Sequence, residues 1–110
     1  MSVEEPRKID FNVIDPRSGE VRLIVTDHLE WAEQEGEHLL LLQNKLNSYL
    51  AFIESGEIYT KVPKAFGRKI VIEVMGKFPL SEEARKFYRL AGKAIADAGF
   101  SLRFELSESK

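Results

Sequence analysis

The sequence predicts an α+β domain, built as a two-layer sandwich in which two helices pack on one face of a four-stranded mixed sheet. Three observations predict it. Several short runs alternate apolar and polar residues, as half-buried strands do. One long stretch, Glu37–Glu54, repeats its leucines at helical spacing. The segments follow the order β-β-α-β-α-β, which contains a βαβ unit and therefore a parallel strand pair with a right-handed crossover.

A β-hairpin is predicted at the start of the chain. Ile9–Val13 and Val21–Thr26 each alternate apolar and polar residues. Between them, Asp15–Gly19 has the composition of a turn, because aspartate accepts local backbone hydrogen bonds, proline presets φ and glycine permits a positive φ. The two runs are therefore expected to pair as antiparallel strands.

The stretch Glu37–Glu54 is expected to be the helix around which the other elements are arranged. At about 100° per residue, its main apolar stripe falls on one face, where burial is expected. Gly56 follows the last turn and suits the left-handed conformation of a helix C-cap. The residues of the main stripe are Leu39, Leu42, Leu46, Tyr49, Leu50 and Ile53.

The same helix carries a second, shorter apolar stripe formed by Leu41 and Phe52. Something is expected to cover it, and two alternatives stay open. One is the long loop that follows the helix, which reaches Lys69. The other is a partner protein or a second copy of this chain. The loop residues expected to lie across the stripe are Tyr59, Val62 and Phe66.

Three further elements are predicted after this loop. Ile70–Met75 is apolar on both faces apart from Glu73, which suits a central strand. Ser81 is a favourable N-cap for a second helix that runs to about Ala98. Phe100–Leu106 alternates again and predicts the last strand. The order of the strands within the sheet does not follow from these patterns.

Composition bounds the class of protein. The 110 residues fit one α+β domain, with residues 1–8 and 107–110 as loose tails. Hydrophobic residues make up 44% and charged residues 31%, the balance of a soluble globular protein. A net charge of −2 favours neither nucleic acid nor a membrane as partner. The absence of cysteine excludes disulfides and thiolate sites and fits a cytoplasmic location.

Three stretches carry a resemblance to a known family. They are IDFNVIDPRSGEVRLIVTDHLEW, EHLLLLQNKLNSYLAFIESGEIY and PKAFGRK with the strand after it. Together they span roughly Ile9–Leu106, and their most distinctive parts are Asp15–Trp31 and Glu37–Gly56. The chain resembles a family of small bacterial proteins of unknown function. The resemblance implies a bacterial source and a free-standing domain, and it assigns no catalytic or binding residue.

Few residues form a pattern that could carry chemistry. Asp27, His28 and His38 are residue types that ligate zinc, but their spacing matches no established site, and the expected role of Asp27 is to cap the turn after the second strand. Glu73 is a candidate for general acid–base catalysis, against the alternative that it faces outward and pairs with a cation. No phosphate-binding loop or serine-nucleophile motif occurs. We therefore predict no catalytic residue, no cofactor and no metal.

Charge is distributed unevenly along the chain. Asp27–Glu37 is an acidic connector without lysine or arginine. Cations concentrate in the long loop and along the second predicted helix, where they recur every four residues. We call them the basic residues; they are Lys61, Lys64, Arg85, Arg89 and Lys93.

The leading functional hypothesis is a small non-catalytic protein-interaction domain, of an accessory or an immunity or antitoxin-like kind, that binds a protein partner or itself. The alternative is a small-ligand or nucleic-acid binder that uses the basic residues. We do not expect an enzyme. The residues predicted to contact a partner are Trp31, Leu41, Phe52, Tyr59 and Phe66.

Overall fold

The structure, a computed structural model, describes residues 11–31 and 34–106. The predicted tails, Ile9 of the first predicted strand, and Ala32 and Glu33 of the acidic connector lie outside the described residues. The strands are β1 (Phe11–Ile14), β2 (Val21–Asp27), β3 (Ile70–Gly76) and β4 (Ser101–Leu106). The helices are α1 (Glu35–Glu54), α2 (Glu57–Lys61) and α3 (Glu82–Asp97).

The four strands form one mixed sheet in the order β1-β2-β3-β4. The hairpin pairs β1 with β2 antiparallel, while β2–β3 and β3–β4 are parallel. Leu23, Ile72 and Leu102 lie side by side across the three parallel strands. The predicted α+β class, the mixed sheet and the parallel pair of β3 with β4 are confirmed, and β3 is a central strand as its apolar composition indicated.

One set of alternating strand residues shares a hydrophobic core with the buried residues of α1 and α3. Leu42 and Tyr49 of α1 and Ile95 of α3 belong to it. The Tyr49 hydroxyl donates a hydrogen bond to the carbonyl oxygen of Ile24 at 3.2 Å, so the helix is also fixed to the backbone of β2. The strand members are Val21, Leu23, Val25, Ile70, Ile72 and Val74.

The ends of the helices follow the local sequence. Ser81 accepts a hydrogen bond from the backbone N–H of Ala84 at 3.1 Å, which confirms it as the N-cap of α3. Gly56 ends α1 at a φ of 83°, and Gly99 follows α3 at a φ of 98°, both in the left-handed region that glycine adopts without a steric penalty.

The segment after α1 is not the irregular loop that the sequence pattern predicted. It contains α2 and a single 3₁₀ turn, Pro63–Ala65. Ile58 of α2 is completely buried, and Val62 packs against the core, so two apolar side chains order the segment. Pro63 is the first residue of the 3₁₀ turn, where its fixed φ is tolerated, and Gly67 follows that turn with a φ of 79°, so neither breaker prevents helical structure here. None of the helices in the described ranges is long and apolar enough to cross a bilayer.

Candidate functional site

A buried histidine and aspartate meet where the parallel strand β2 ends. Asp27 is the last residue of β2, and His38 lies near the start of α1. The Nε2 atom of His38 is 2.5 Å from Oδ2 of Asp27, and its Nδ1 atom is 3.1 Å from the carbonyl oxygen of Glu30. Both side chains are almost completely buried. The pair therefore joins the end of β2 and the connector after it to α1.

The His38 ring is enclosed at its edge and on its face. One ring nitrogen faces the carboxylate of Asp27, and the other faces the carbonyl oxygen of Glu30. Trp31 stacks on the ring, with centroids 3.5 Å apart and planes inclined by 15°. The geometry thus describes a buried histidine–aspartate pair covered by an aromatic ring.

The polar groups of this cluster bind one another and the neighbouring backbone. Asp27 Oδ1 accepts the backbone N–H of Leu29 at 3.2 Å, which is the turn-capping role expected for it. His28, the third member of the possible zinc group, is exposed. In residues 11–31 and 34–106, no three His, Asp or Glu side chains come together as metal ligands. Asp27 and His38 therefore have a structural role, because their hydrogen bonds to Leu29 and Glu30 attach the start of the connector to β2 and α1.

The hydroxyl of Tyr88, on α3, is buried and lies close enough to Asp27 for an electrostatic interaction with its carboxylate. Within the described part of the chain it has no hydrogen-bond partner. Burial raises the pKa of Tyr88 well above its ordinary value, and the charge of Asp27 raises it further. The ring meets Phe104 of β4 edge-to-face, with centroids 5.4 Å apart. The hydroxyl is therefore neutral in the folded protein. On folding it loses its hydrogen bonds to water, and no described group replaces them.

Replacing Tyr88 with phenylalanine should raise the free energy of unfolding by about 1 kcal/mol at neutral pH, because it removes the uncompensated hydroxyl and keeps the ring. The gain should grow above about pH 10, where the unfolded tyrosine ionises while the raised pKa keeps the folded one neutral. Urea denaturation of both proteins at neutral and alkaline pH measures the difference. A destabilised variant would show instead that the hydroxyl makes a stabilising hydrogen bond.

An ion network surrounds Glu73 on the sheet face opposite the helices. Glu73 is 2% exposed, and its Oε1 accepts a hydrogen bond from Nη1 of Arg22 at 3.0 Å. This bond is the main cause of the raised pKa of Arg22. Arg103 lies beside Glu73 on β4 and reaches Glu20 at 3.3 Å. Glu73 thus has the cation partner of the outward-facing alternative, although its side chain is buried.

The five residues predicted to contact a partner occupy three settings. Trp31 and Phe52 are buried, at 7% and 8% exposure, within the core of this chain. Leu41 is half-buried against that core. Tyr59 and Phe66 are exposed, at 38% and 79%, and their rings meet edge-to-face. The structure therefore does not present these residues as one surface, because only Tyr59 and Phe66 project outward.

The basic residues are all exposed, but they lie on elements that pack differently. Lys61 ends α2 and Lys64 lies in the 3₁₀ turn. Arg85, Arg89 and Lys93 lie along α3. The principal neighbours of α2 are α1 and the 3₁₀ turn, while those of α3 are β4 and α1. The elements that carry the two loop lysines are therefore not the principal neighbours of α3, so direct packing does not bring Lys61 and Lys64 together with the cations of α3.

A groove of about 360 Å³ runs between α1 and α3. Its floor includes the buried residues Leu46 and Ile95, and polar side chains reach it only as the amides of Gln43 and Asn47. We call this surface the α1–α3 groove. Its lining residues are Gln43, Leu46, Asn47 and Leu50 of α1 and Phe87, Leu90, Ala91, Ala94 and Ile95 of α3.

The α3 rim of this groove combines an exposed leucine with cations. Leu90 is 71% exposed. At helical spacing, Lys86 and Lys93 lie next to it on the outer side, and both are exposed. Lys86 is 3.7 Å from Glu83, an exposed pair of the kind that adds little stability. Leu90 was the signal in the sequence that could have indicated the groove, since it interrupts a polar face.

The comparison with known families covers almost the whole chain. The model of DUF6572, a family of unknown function, matches residues 1–108. The chain belongs to DUF6572. No match was found among curated proteins or among solved structures. Membership of DUF6572 assigns no activity or binding residue, so the functional argument rests on the geometry of the groove and of the closed polar clusters.

Proposed function

We propose that this protein is a non-catalytic protein-interaction domain and that its docking surface is the α1–α3 groove. The observation that supports the proposal is Leu90, a large apolar side chain left 71% exposed at the rim of an apolar groove. Exposed apolar surface that is contiguous and rimmed by polar groups marks interaction sites. The residues Leu50, Phe87 and Leu90 supply the apolar contacts.

The occupant that fits this groove is an amphipathic helix of a partner protein with acidic residues along one flank. A groove between two helices accepts the apolar stripe of a third helix. The docking helix inserts its side chains at positions i, i+3, i+4 and i+7. Lys86 and Lys93 are two helical turns apart, about 10 Å along α3. Acidic residues at the same spacing on the partner would meet them, while Gln43 and Asn47 on the other wall carry no charge.

The polar clusters support a non-catalytic role. Asp27 with His38 is a buried pair, and the buried carboxylate of Glu73 is bound by the partly exposed Arg22, so each of these two carboxylates already has a partner within the chain. The Tyr88 hydroxyl is unpartnered among the described residues but buried. A cysteine-free sequence is compatible with the reducing bacterial cytoplasm in which we place the protein, and an accessory or immunity-type role fits such a domain.

Replacing Leu90 with lysine should weaken binding of the partner by about tenfold or more, because it removes a large apolar contact at the rim of the groove. The matched control is Phe66→Lys, the same kind of change at a residue that is 79% exposed and outside the groove lining. Tagged wild-type and variant proteins would be used to capture partners from native lysate, with mass spectrometry and titration of the captured protein.

The proposal requires that wild type and Phe66→Lys retain the same protein and that Leu90→Lys loses it. Circular dichroism of the variants checks that each is folded. Loss with Phe66→Lys alone would assign binding to the segment after α1. Capture of nucleic acid, lost when Arg89 and Lys93 are changed to glutamate, would support the alternative binder. The groove would be overturned as the docking surface by loss of the partner with Phe66→Lys alone, by such capture of nucleic acid, or by a wild-type protein that captures nothing.

A further inference from the structure

The last strand, β4, leaves one side of the described sheet unpaired. It neighbours β3 alone in the strand order, so the backbone groups along its outer side have no strand partner among the described residues. Edge strands are usually protected by proline, charged side chains, especially lysine, a bulge or a covering element, and the two charges of β4, Arg103 and Glu105, are of opposite sign. Ser101–Leu106 contains no proline, glycine or lysine, and Leu106 is 46% exposed. Within residues 11–31 and 34–106, this edge is open to pairing with another strand.

The sequence of β4 is complementary to itself. The residues Leu102-Arg103-Phe104-Glu105-Leu106 read symmetrically about Phe104, with opposite charges at the two positions beside it. In an antiparallel pair, directly opposite residues lie on the same face and interact. If Phe104 lies opposite its own copy, each Arg103 lies opposite a Glu105, and each Leu102 lies opposite a Leu106. All five positions then have a favourable partner.

We propose that β4 pairs antiparallel with β4 of a second copy, which joins the two sheets across a twofold axis at Phe104. The charges select this register, because a shift of two residues in either direction places Arg103 opposite Arg103 or Glu105 opposite Glu105. The interface is isologous, as expected for a closed dimer. It rests on the sequence and position of β4 and is independent of the α1–α3 groove.

The side chains of β4 can accept this arrangement without leaving their present contacts. Arg103 bonds Glu20 through one nitrogen, and its side chain is 47% exposed. A guanidinium has five N–H donors, so it can bind a second carboxylate from Glu105 of the other copy. Phe104 is half-buried against Tyr88, on the same face as the core residues of β3. The pair of Phe104 rings would therefore extend the existing core.

One feature opposes the dimer. The flank of α3 that faces away from the groove carries Arg85 and Arg89, and the approach of two copies brings these cations closer together. Both side chains are exposed, so water and salt screen their repulsion. The effect lowers the affinity of the two copies but does not change the register, which depends on Arg103 and Glu105.

The test is sedimentation equilibrium of wild type and of charge variants. Wild type is expected to have twice the mass of one chain at micromolar concentrations. Glu105→Arg places arginine opposite Arg103 of the other copy and should weaken dimerisation by about tenfold or more. Glu54→Arg makes the same change of charge at an exposed position on α1 and should leave the dimer intact.

A mixing experiment separates pairing from misfolding. Arg103→Glu and Glu105→Arg chains should each be monomeric, yet together they should form a mixed dimer, since every opposing pair then has opposite charges. If Arg103→Glu does not fold, because it places a second carboxylate beside Glu73, concentration-dependent hydrogen exchange of the β4 amides in wild type replaces this arm. A monomeric wild type, a dimer that Glu105→Arg leaves intact, or β4 amides whose exchange is independent of concentration would overturn the proposal.

Discussion

Replacing Asp27 with alanine should lower the free energy of unfolding by about 3–5 kcal/mol, because it breaks the buried Asp27–His38 pair and leaves one of its two partners behind. Both side chains are nearly inaccessible to water, and Nε2 would lose its acceptor at 2.5 Å. The same change removes the Oδ1 contact that caps the turn at Leu29. Urea denaturation at neutral pH, followed by Trp31 fluorescence, measures the loss.

A double-mutant cycle separates the pair from the cost of each substitution. His38→Phe keeps an aromatic ring beneath Trp31 and removes both ring nitrogens. We expect Asp27→Ala to cost less in the His38→Phe background than in wild type, by about 1–3 kcal/mol of coupling. Additive effects, or a loss below about 1 kcal/mol for Asp27→Ala alone, would contradict the assignment of an energetically coupled buried pair.

The second large effect is expected at the other face of the sheet. Replacing Arg22 with methionine should destabilise the protein by about 2–3 kcal/mol, since Glu73 loses the guanidinium that holds its buried carboxylate. We expect a smaller loss of stability than for Asp27→Ala because Arg22 is 28% exposed and a second cation, Arg103, lies beside Glu73. Thermal and urea denaturation of the variant measure the loss.

Methionine keeps much of the length of the arginine side chain, so lost packing contributes little to this comparison. Adding Glu73→Gln to Arg22→Met removes the uncompensated charge and should restore part of the stability. The matched control is Arg68→Met, because Arg68 is exposed and bonds only to the backbone carbonyls of Lys64 and Gly19 among the contacts described. A neutral Arg22→Met, or a double variant less stable than the single, would contradict this account of Glu73.

Local patterns were sufficient for most of the fold. Period-two alternation located β1, β2 and β4, a short apolar run located β3, and Ser81 marked the start of α3, because these signals depend on nearest neighbours. The segment after α1 was the exception. Its breakers suggested a loop, but the burial of Ile58 and Val62 supplies the packing that a short helix needs. That packing depends on distant residues and leaves no local signal.

The candidate site was harder to predict because it depends on which elements are neighbours. Trp31 and Phe52 were predicted to contact a partner, while cover of the Phe52 stripe by the loop after α1 stayed open, since a connector and a second stripe have no partner in the local pattern. The structure instead stacks Trp31 on His38 and buries Phe52 in the core. The α1–α3 groove exists because adjacent parallel strands place α1 beside α3, and strand order does not follow from local periodicity.

The two proposed surfaces lie on different sides of α3. The groove uses Phe87 and Leu90, on the side facing α1, whereas the β4 edge lies beyond the opposite side. Pairing through β4 would therefore leave both grooves accessible. A dimer would present two docking sites, which raises the apparent affinity for a partner that carries two acidic helices.

Site-specific photocrosslinking tests the groove proposal most directly. A benzophenone amino acid would replace Leu90 in one protein and Phe66 in another, and each would be irradiated in its native cells. We predict a crosslink from position 90 to an amphipathic helix with an acidic flank, and none from position 66. A partner crosslinked from position 66 alone, or no partner crosslinked from position 90, would contradict the account.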